Sequence, residues 1–190
     1  MTVPHDWAIY GPFSSLNDKQ EVAISQDGQK EAMEHAGRTG GLPFVGVGWY
    51  RTEFDVPQFQ AGKRATILFD GAMSHANVYI NGQKVGYWPY GYNSFHFDNT
   101  KYLKPGEKNT LAVRLENLPE SSRWYPGAGL YRNVHLIITE DAYIPVWGTY
   151  ITTPSVNEKF AKVNVRPKVV LPEGADPVKY SVETSVWNPN

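Results

Sequence analysis

The chain has no cysteine among its 190 residues, which excludes disulfide bonds, thiolate chemistry and zinc–thiolate sites. Its formal net charge is only -1, so no basic excess points to nucleic acid or to an anionic membrane surface. No apolar run approaches the roughly 18 residues of a membrane span, and no signal-peptide pattern is visible. The compartment stays open: periplasmic or secreted if a signal peptide was removed, and cytoplasmic otherwise.

The sequence also lacks the spacing motifs of metal, phosphate and nucleophile sites. Its histidines, at positions 5, 35, 75, 96 and 135, do not stand at ligand spacing from one another. There is no nucleophile elbow and no phosphate-binding lysine motif. Asp70 and Asp98 follow strand candidates, where capping a turn is the simpler role. We therefore expect neither a metal site nor a cofactor.

Aromatic residues, in contrast, are plentiful, with 6 Trp and 12 Tyr. Flat rings match the apolar faces of sugars, and they also fill the cores of large β-sandwiches. Composition alone does not choose between these two uses.

Alternating apolar and polar residues make most of the chain read as β-strand. Strand candidates occur at 49–57, 64–71, 76–88, 93–98, 110–117 and 130–139. Asn81-Gly82 predicts a two-residue type I′ turn inside the third of these. Only 28–37 looks helical, and it fits a surface loop equally well. The pattern predicts an antiparallel jelly-roll β-sandwich over residues 1–140.

The character of the chain changes after Thr139, where proline and glycine interrupt the alternation. Two further strand candidates follow, at 160–171 and 178–188. An immunoglobulin-like sandwich needs about seven strands and ~100 residues. We therefore expect residues 141–190 to be an incomplete immunoglobulin-like β-sandwich domain, and the chain to be a fragment of a longer protein.

The connection 117–129 is the unusual part of the first domain, because it is long, irregular and rich in glycine and proline. It carries Arg123, Trp124 and Tyr125 in a row, and such aromatic rings are costly to leave in water. A guanidinium provides a rigid donor fork for hydroxyl or carboxylate recognition. The alternative is that Trp124 and Tyr125 only plug one end of the sandwich, with Arg123 paired locally.

Six blocks, this loop among them, resemble a known family in the same order. They are PHDWAI (4–9), GGLPFVGVGWYR (40–51), FDGAMSHANVYINGQKVG (69–86), YGYNSFHFD (90–98), LKPGEKNTLAVRLEN (103–117) and SRWYPGAGLYRNV (122–134). Together they resemble the N-terminal sugar-binding domain of glycoside hydrolase family 2, especially that of β-galactosidases. Residues 141–190 resemble the start of that family's immunoglobulin-like domain.

The resemblance implies a retaining exo-glycosidase whose two catalytic glutamates lie on a later (β/α)8 barrel, beyond Asn190. It implies that this chain alone is inactive and contributes rim loops to the barrel's pocket. The matching positions are Asn117, Arg123, Trp124 and Tyr125, as substrate-binding residues. Some members carry an acidic residue near Asn117, where this chain has an amide.

The implied partners are a terminal β-galactoside and the downstream barrel of the same chain, and oligomerisation stays open. Three alternatives remain at this point. The domain could be a stand-alone carbohydrate-binding module with a groove of its own, or a structural sandwich without a sugar. The whole enzyme could also be a β-glucuronidase or a β-mannosidase, since both share this domain.

Overall fold

A computed structural model describes residues 1–14, 16–17, 19–24, 33–36, 43–59, 62–119, 121 and 125–187, with the backbone alone for 19–24 and 33–36. Over these residues the regular secondary structure consists of strands and three short 3-10 turns. The strands are β1 (Lys19–Ile24), β2 (Met33–Ala36), β3 (Gly46–Asp55), β4 (Arg64–Phe69), β5 (Ala76–Ile80), β6 (Gln83–Trp88), β7 (Phe95–Asp98), β8 (Lys108–Asn117), β9 (Val134–Thr139), β10 (Thr149–Val156) and β11 (Ala161–Pro167).

The larger sheet has four strands in the order β3-β8-β5-β6. Strands β3 and β8 are antiparallel and pair over their whole length, from Gly46 opposite Asn117 to Asp55 opposite Lys108. Buried and partly exposed residues alternate along β8, with Leu111, Val113 and Leu115 on the core side. This alternation is the pattern expected of a sheet with one face on a core and one face in solvent.

A three-stranded sheet, in the order β7-β4-β9, supplies the other half of the core. Phe69 of β4 and Phe95 of β7 are fully buried and stacked, with ring centroids 4.8 Å apart. They share the core with buried residues of the larger sheet, such as Val78 and Ile80. The predicted all-β antiparallel sandwich is therefore confirmed.

The hairpin between β5 and β6 has the predicted two-residue turn. Asn81 and Gly82 both have positive φ, at 51° and 80°, and Ile80 pairs with Gln83 directly across the turn. Only residues that tolerate the left-handed region suit both positions of a type I′ turn. The Asn81 side chain adds to the turn, because its Oδ1 accepts from the Thr110 amide at 2.9 Å.

The chain divides into two compact units, Met1–Phe59 with Ala65–Ile137, and Gln60–Arg64 with Ile138–Asn190. In the second unit, β10 and β11 form an antiparallel pair. The boundary at 140 and the immunoglobulin-like identity of residues 141–190 stay predictions. No helix among the described residues is long and apolar enough to cross a membrane.

Two local predictions are wrong. Residues Met33–Ala36, inside the helical or loop candidate 28–37, form strand β2 and pair with β1, while the rest of that candidate lies outside the described residues. The strand predicted at 178–188 is a 3-10 turn over Pro177–Lys179 followed by irregular backbone to 187. Met33–Ala36 is a strand because β1 offers it a partner, whereas 178–187 has no strand partner among the described residues.

Asn109 is a buried polar side chain that joins the hairpin to the turn before β8. Its Oδ1 accepts from Asn81 Nδ2 at 2.7 Å and from the Lys104 amide at 2.8 Å, and its Nδ2 donates to the carbonyls of Lys104 and Glu107, both at 2.9 Å. A buried amide with this many partners leaves several groups unsatisfied when it is removed.

We therefore expect Asn109→Ala to lower the free energy of unfolding of the first unit by about 3 kcal/mol. Urea denaturation followed by tryptophan fluorescence measures it. Asn93→Ala is the matched control, because Asn93 is exposed and has one side-chain bond, from Trp88 Nε1 at 3.0 Å. Equal losses for the two variants would contradict the role of the buried network.

Candidate functional site

The irregular connections of the first unit gather where β8 ends at Asn117 and β4 ends at Phe69. We call this region the loop end, and it consists of residues 4–8, 70–75, 89–94 and 125–133. Backbone hydrogen bonds join these segments directly: His5 donates to Leu130 O at 2.8 Å, and Met73 and Gly129 exchange two bonds at 2.9 and 3.0 Å. The loop end is therefore held by main-chain pairing although it contains no regular strand.

Asp6 is the acceptor around which the N-terminal segment and the 125–133 loop are arranged. Its Oδ1 accepts from the Ala8 amide at 2.9 Å and from the Ala128 amide at 3.0 Å. Its Oδ2 accepts from the Tyr125 hydroxyl at 2.6 Å. Asp6 thus ties two segments that lie more than a hundred residues apart in sequence, through bonds strengthened by its charge.

Tyr125, one of the sequence-predicted site residues, is half-exposed and shares that carboxylate. Burial raises the pKa of its phenol well above the ordinary value, and the hydrogen bond to Asp6 and the negative charge of Asp6 raise it further. The phenol is consequently a neutral hydrogen-bond donor over the whole physiological range. Because its hydrogen is donated to Asp6, the hydroxyl offers a ligand only acceptor capacity, beside the exposed ring.

Asn117, the second predicted site residue that the structure describes, is only 2% exposed. Its Nδ2 donates to the Gly127 carbonyl at 2.9 Å. Located at the last position of β8 opposite Gly46, Asn117 connects the sheet to the 125–133 loop. This hydrogen bond positions the 125–133 loop against the end of β8. Arg123 and Trp124 lie outside the described residues.

Gly129 is required where the loop crosses the N-terminal segment. Its φ is +100°, and a Cβ there would lie 2.6 Å from the His5 carbonyl oxygen and still closer to the Tyr50 hydroxyl. That hydroxyl is itself within 2.7 Å of His5 Nδ1. Any other residue at Gly129 would have to displace this contact and adopt a strained backbone.

The 70–75 and 89–94 segments are held by a second group of contacts. Ser94 Oγ donates to the Asp70 carbonyl at 3.0 Å, and the Tyr131 hydroxyl donates to the Gly91 carbonyl at 2.6 Å. The Asp70 carboxylate lies 3.0 Å from His135 Nε2, so it pairs with a neighbouring strand and is not simply a turn cap. The predicted cap at Asp98 is confirmed, because its Oδ1 accepts from the Thr100 amide.

The surface of the loop end is rich in phenol rings. Tyr90 and Tyr92 are exposed and meet edge to face, with centroids 5.5 Å apart. Beside the loop end, on β6, Tyr87 is also exposed, and its hydroxyl lies 2.7 Å from His75 Nδ1 of the loop end. Sequence reasoning did not single out these residues or Asp6. The signal was present in the blocks 4–9 and 90–98, which stand among the strands as polar and aromatic turns.

The described residues of the loop end offer exposed rings and hydrogen-bonded loops and form no metal centre. No group of three or more His, Asp or Glu side chains in the described part could hold a metal ion. The Asp6 carboxylate already accepts three hydrogen bonds. Exposed phenol rings on a rigid loop cluster are typical of surfaces that contact sugars.

Comparison with known proteins agrees with a β-sandwich domain whose surface contacts sugars. Residues 42–140 match the family model "Glycosyl hydrolases family 2, sugar binding domain". The chain therefore belongs to glycosyl hydrolase family 2.

The similar proteins carry names of more than one specificity. A β-galactosidase of Bacteroides ovatus is 44% identical over 171 residues, which is 90% of this chain and 18% of that protein. A putative β-glucuronidase of Formosa agariphila is 35% identical over 190 residues, covering 99% of this chain and 16% of that protein. The crystal structure of a family 2 member from Bacteroides cellulosilyticus, 33% identical, superposes with a TM-score of 0.67 over 87% of this chain and 20% of that one. The chain thus spans about a fifth of the length of these relatives.

If Asp6 positions the 125–133 loop, Asp6→Ala should loosen that loop. We expect the Ala128 amide to exchange its hydrogen at least tenfold faster, since loss of a charge-assisted bond costs roughly 1.5–3 kcal/mol. Hydrogen exchange followed by NMR measures this rate. Asp176→Ala is the control, because the Asp176 carboxylate accepts from the Val178 amide in the second unit. Unchanged exchange at Ala128 would show that the loop is held without Asp6.

Proposed function

We propose that this chain is the N-terminal part of a retaining exo-β-galactosidase, and that its loop end lines the rim of a sugar pocket on a barrel farther along the same polypeptide. The observation that carries the proposal is the ordered, aromatic loop end: rings such as Tyr90 and Tyr92 are exposed on loops that are tied to one another. A rim needs this combination, because a loop that must order itself on binding loses affinity.

Within this proposal the predicted substrate-binding residues divide into two kinds. Tyr125 presents its ring while Asp6 holds its hydroxyl, and Asn117 fixes the carbonyl of Gly127. Arg123 and Trp124 are proposed from the sequence to reach the sugar or a carboxylate of the barrel. The barrel supplies the nucleophile and the general acid/base, about 5–5.5 Å apart in a retaining enzyme.

Galactose is proposed as the terminal sugar, since the relative at 44% identity is named a β-galactosidase. A β-glucuronidase is the second candidate, because the relative aligned over 99% of this chain carries that name. A galactoside is neutral, whereas a glucuronide would require a cation placed for its carboxylate.

The 190-residue chain by itself should hydrolyse no aryl β-galactoside, because the proposal places both catalytic glutamates beyond Asn190. Release of 4-nitrophenol from the galactoside and from the glucuronide, against a heat-treated control, measures this. Turnover clearly above that control would overturn the proposed division of labour.

In the full-length gene product, Arg123→Ala should reduce kcat/KM by about ten- to a hundredfold, since one charge-assisted hydrogen bond is worth roughly 1.5–3 kcal/mol. The melting temperature should stay nearly unchanged. Initial rates on both aryl glycosides, with melting curves of the same preparations, test the claim and identify the sugar.

Arg166→Ala is the matched control, because Arg166 is exposed on β11 in the second unit. If the melting temperature of Arg123→Ala instead falls by several degrees while kcat/KM holds within about twofold, Arg123 stabilises the fold. In that case Arg123 does not bind the substrate.

A further inference from the structure

The outer face of the four-stranded sheet carries a pair of aromatic rings that the loop end does not use. Gly48 and Tyr50 of β3 lie opposite the core residues Leu115 and Val113, so Trp49 between them points away from the core. Trp49 is 60% exposed, and its ring lies 5.8 Å from that of Tyr79 on β5, with 32° between the planes. We call Trp49 and Tyr79 the sheet-face pair.

The register of the sheet explains why these two rings meet. Trp49 pairs with Arg114 of β8, and Tyr79 pairs with Ala112, two positions earlier on the same strand. The rings therefore approach diagonally across β8, a spacing that aromatic side chains can bridge. Because Ala112 has only a methyl group, no bulky side chain of β8 stands between Tyr79 and the opposite strand.

Polar side chains surround the sheet-face pair on the same face. Arg114 is held by Glu116, with Nη1 and Oε2 3.0 Å apart, and Asn77 Nδ2 donates to the His75 carbonyl at 3.2 Å. Arg51, which pairs with Ala112, is exposed beside Trp49. The face thus combines two adjacent ring surfaces with guanidinium and amide groups held close to the sheet.

This composition favours one kind of occupant. Lys and Glu are depleted at protein–protein interfaces, whereas Lys84 pairs with Tyr79 across the hairpin, and Glu116 is held by Arg114, the cross-strand partner of Trp49. A pyranose has an apolar C–H face that stacks on a ring and an equatorial belt of hydroxyls that needs donors and acceptors. Glu53 lies on the same side of β3 as Arg51, and Glu116 pairs with Arg114, so the arginines are matched by carboxylates and the face suits a neutral sugar better than an acidic one.

We propose that the sheet-face pair is a binding platform for a neutral oligosaccharide of pyranose units, separate from the rim contributed by the loop end. Trp49 and Tyr79 stack on the sugar rings, and Arg51 and Arg114 donate to hydroxyls. Because the face is open and leaves most of the ligand in water, the dissociation constant is on the order of 1 mM. Such a platform retains a glycan near the enzyme without taking part in the chemistry. Binding at the platform does not depend on which sugar the active site accepts.

The test uses the 190-residue chain, with β-1,4-linked galactopentaose as the probe and β-1,4-linked glucopentaose in a second titration. We expect the indole N–H resonance of Trp49 to shift progressively with either pentasaccharide, while that of Trp187, which is 85% exposed in the second unit, stays in place. Trp49→Ala should weaken binding at least about tenfold, and Tyr79→Ala at least about threefold, whereas Trp187→Ala should bind as the unmodified chain does.

Three results would overturn the proposal. One is the absence of a Trp49 shift up to about ten times the expected dissociation constant. The second is undiminished binding by Trp49→Ala with a well-dispersed spectrum. The third is a concentration-dependent dimer in sedimentation velocity that Trp49→Ala abolishes, because a second copy of the chain would then be the occupant. If Trp49→Ala does not fold, the wild-type shift and Tyr79→Ala still decide. Loss of activity in loop-end variants has no bearing on these outcomes.

Discussion

The hydrogen bonds accepted by the Asp6 carboxylate are the contacts on which the loop end depends. They fix the Ala128 amide and the Tyr125 hydroxyl at 3.0 and 2.6 Å, and thereby bring the start of the chain against a loop more than a hundred residues later. A glycine-rich loop loses much conformational entropy on ordering. A charged acceptor makes hydrogen bonds roughly twice as strong as neutral ones, and these add to the burial of Ala128 and Leu130 in the same loop.

This carboxylate acts on a loop that the sheet has already positioned. Full pairing of β3 with β8 places Asn117 opposite Gly46 where the two-strand ladder ends. From there, the Asn117 side chain donates a hydrogen bond to the Gly127 carbonyl. Asp6 holds the adjacent part of the loop from the N-terminal side. The segment is thus fixed at two points although its glycines at 127 and 129 have positive φ.

The sequence predicted those parts of the fold that local chemistry determines. Alternation along β8 follows directly from one face being buried, and Asn81-Gly82 defines a turn by its backbone preference alone. The errors at 33–36 and 178–188 concern segments whose structure depends on whether another strand pairs with them, β1 in the first case and none among the described residues in the second. Asp6 and Tyr90 could not be assigned from spacing, because their partners are remote in sequence. Asn117 was predicted to bind substrate, and whether it does so beyond holding Gly127 stays a prediction.

The two aromatic surfaces of the first unit differ in how their rings are held, and this difference bears on what each can do. At the loop end, hydroxyls are used by the protein itself: Tyr125 donates to Asp6, and Tyr131 to Gly91. Such rings are restricted in orientation, which suits a rim that must meet a pocket at a defined angle. On the sheet face, Trp49 and Tyr79 rest on backbone whose register is set by strand pairing, and their spacing follows from residues opposite them on β8. A platform of that kind requires no loop to be ordered, so binding there costs little conformational entropy. Such weak binding also tolerates variation in the oligosaccharide that it contacts.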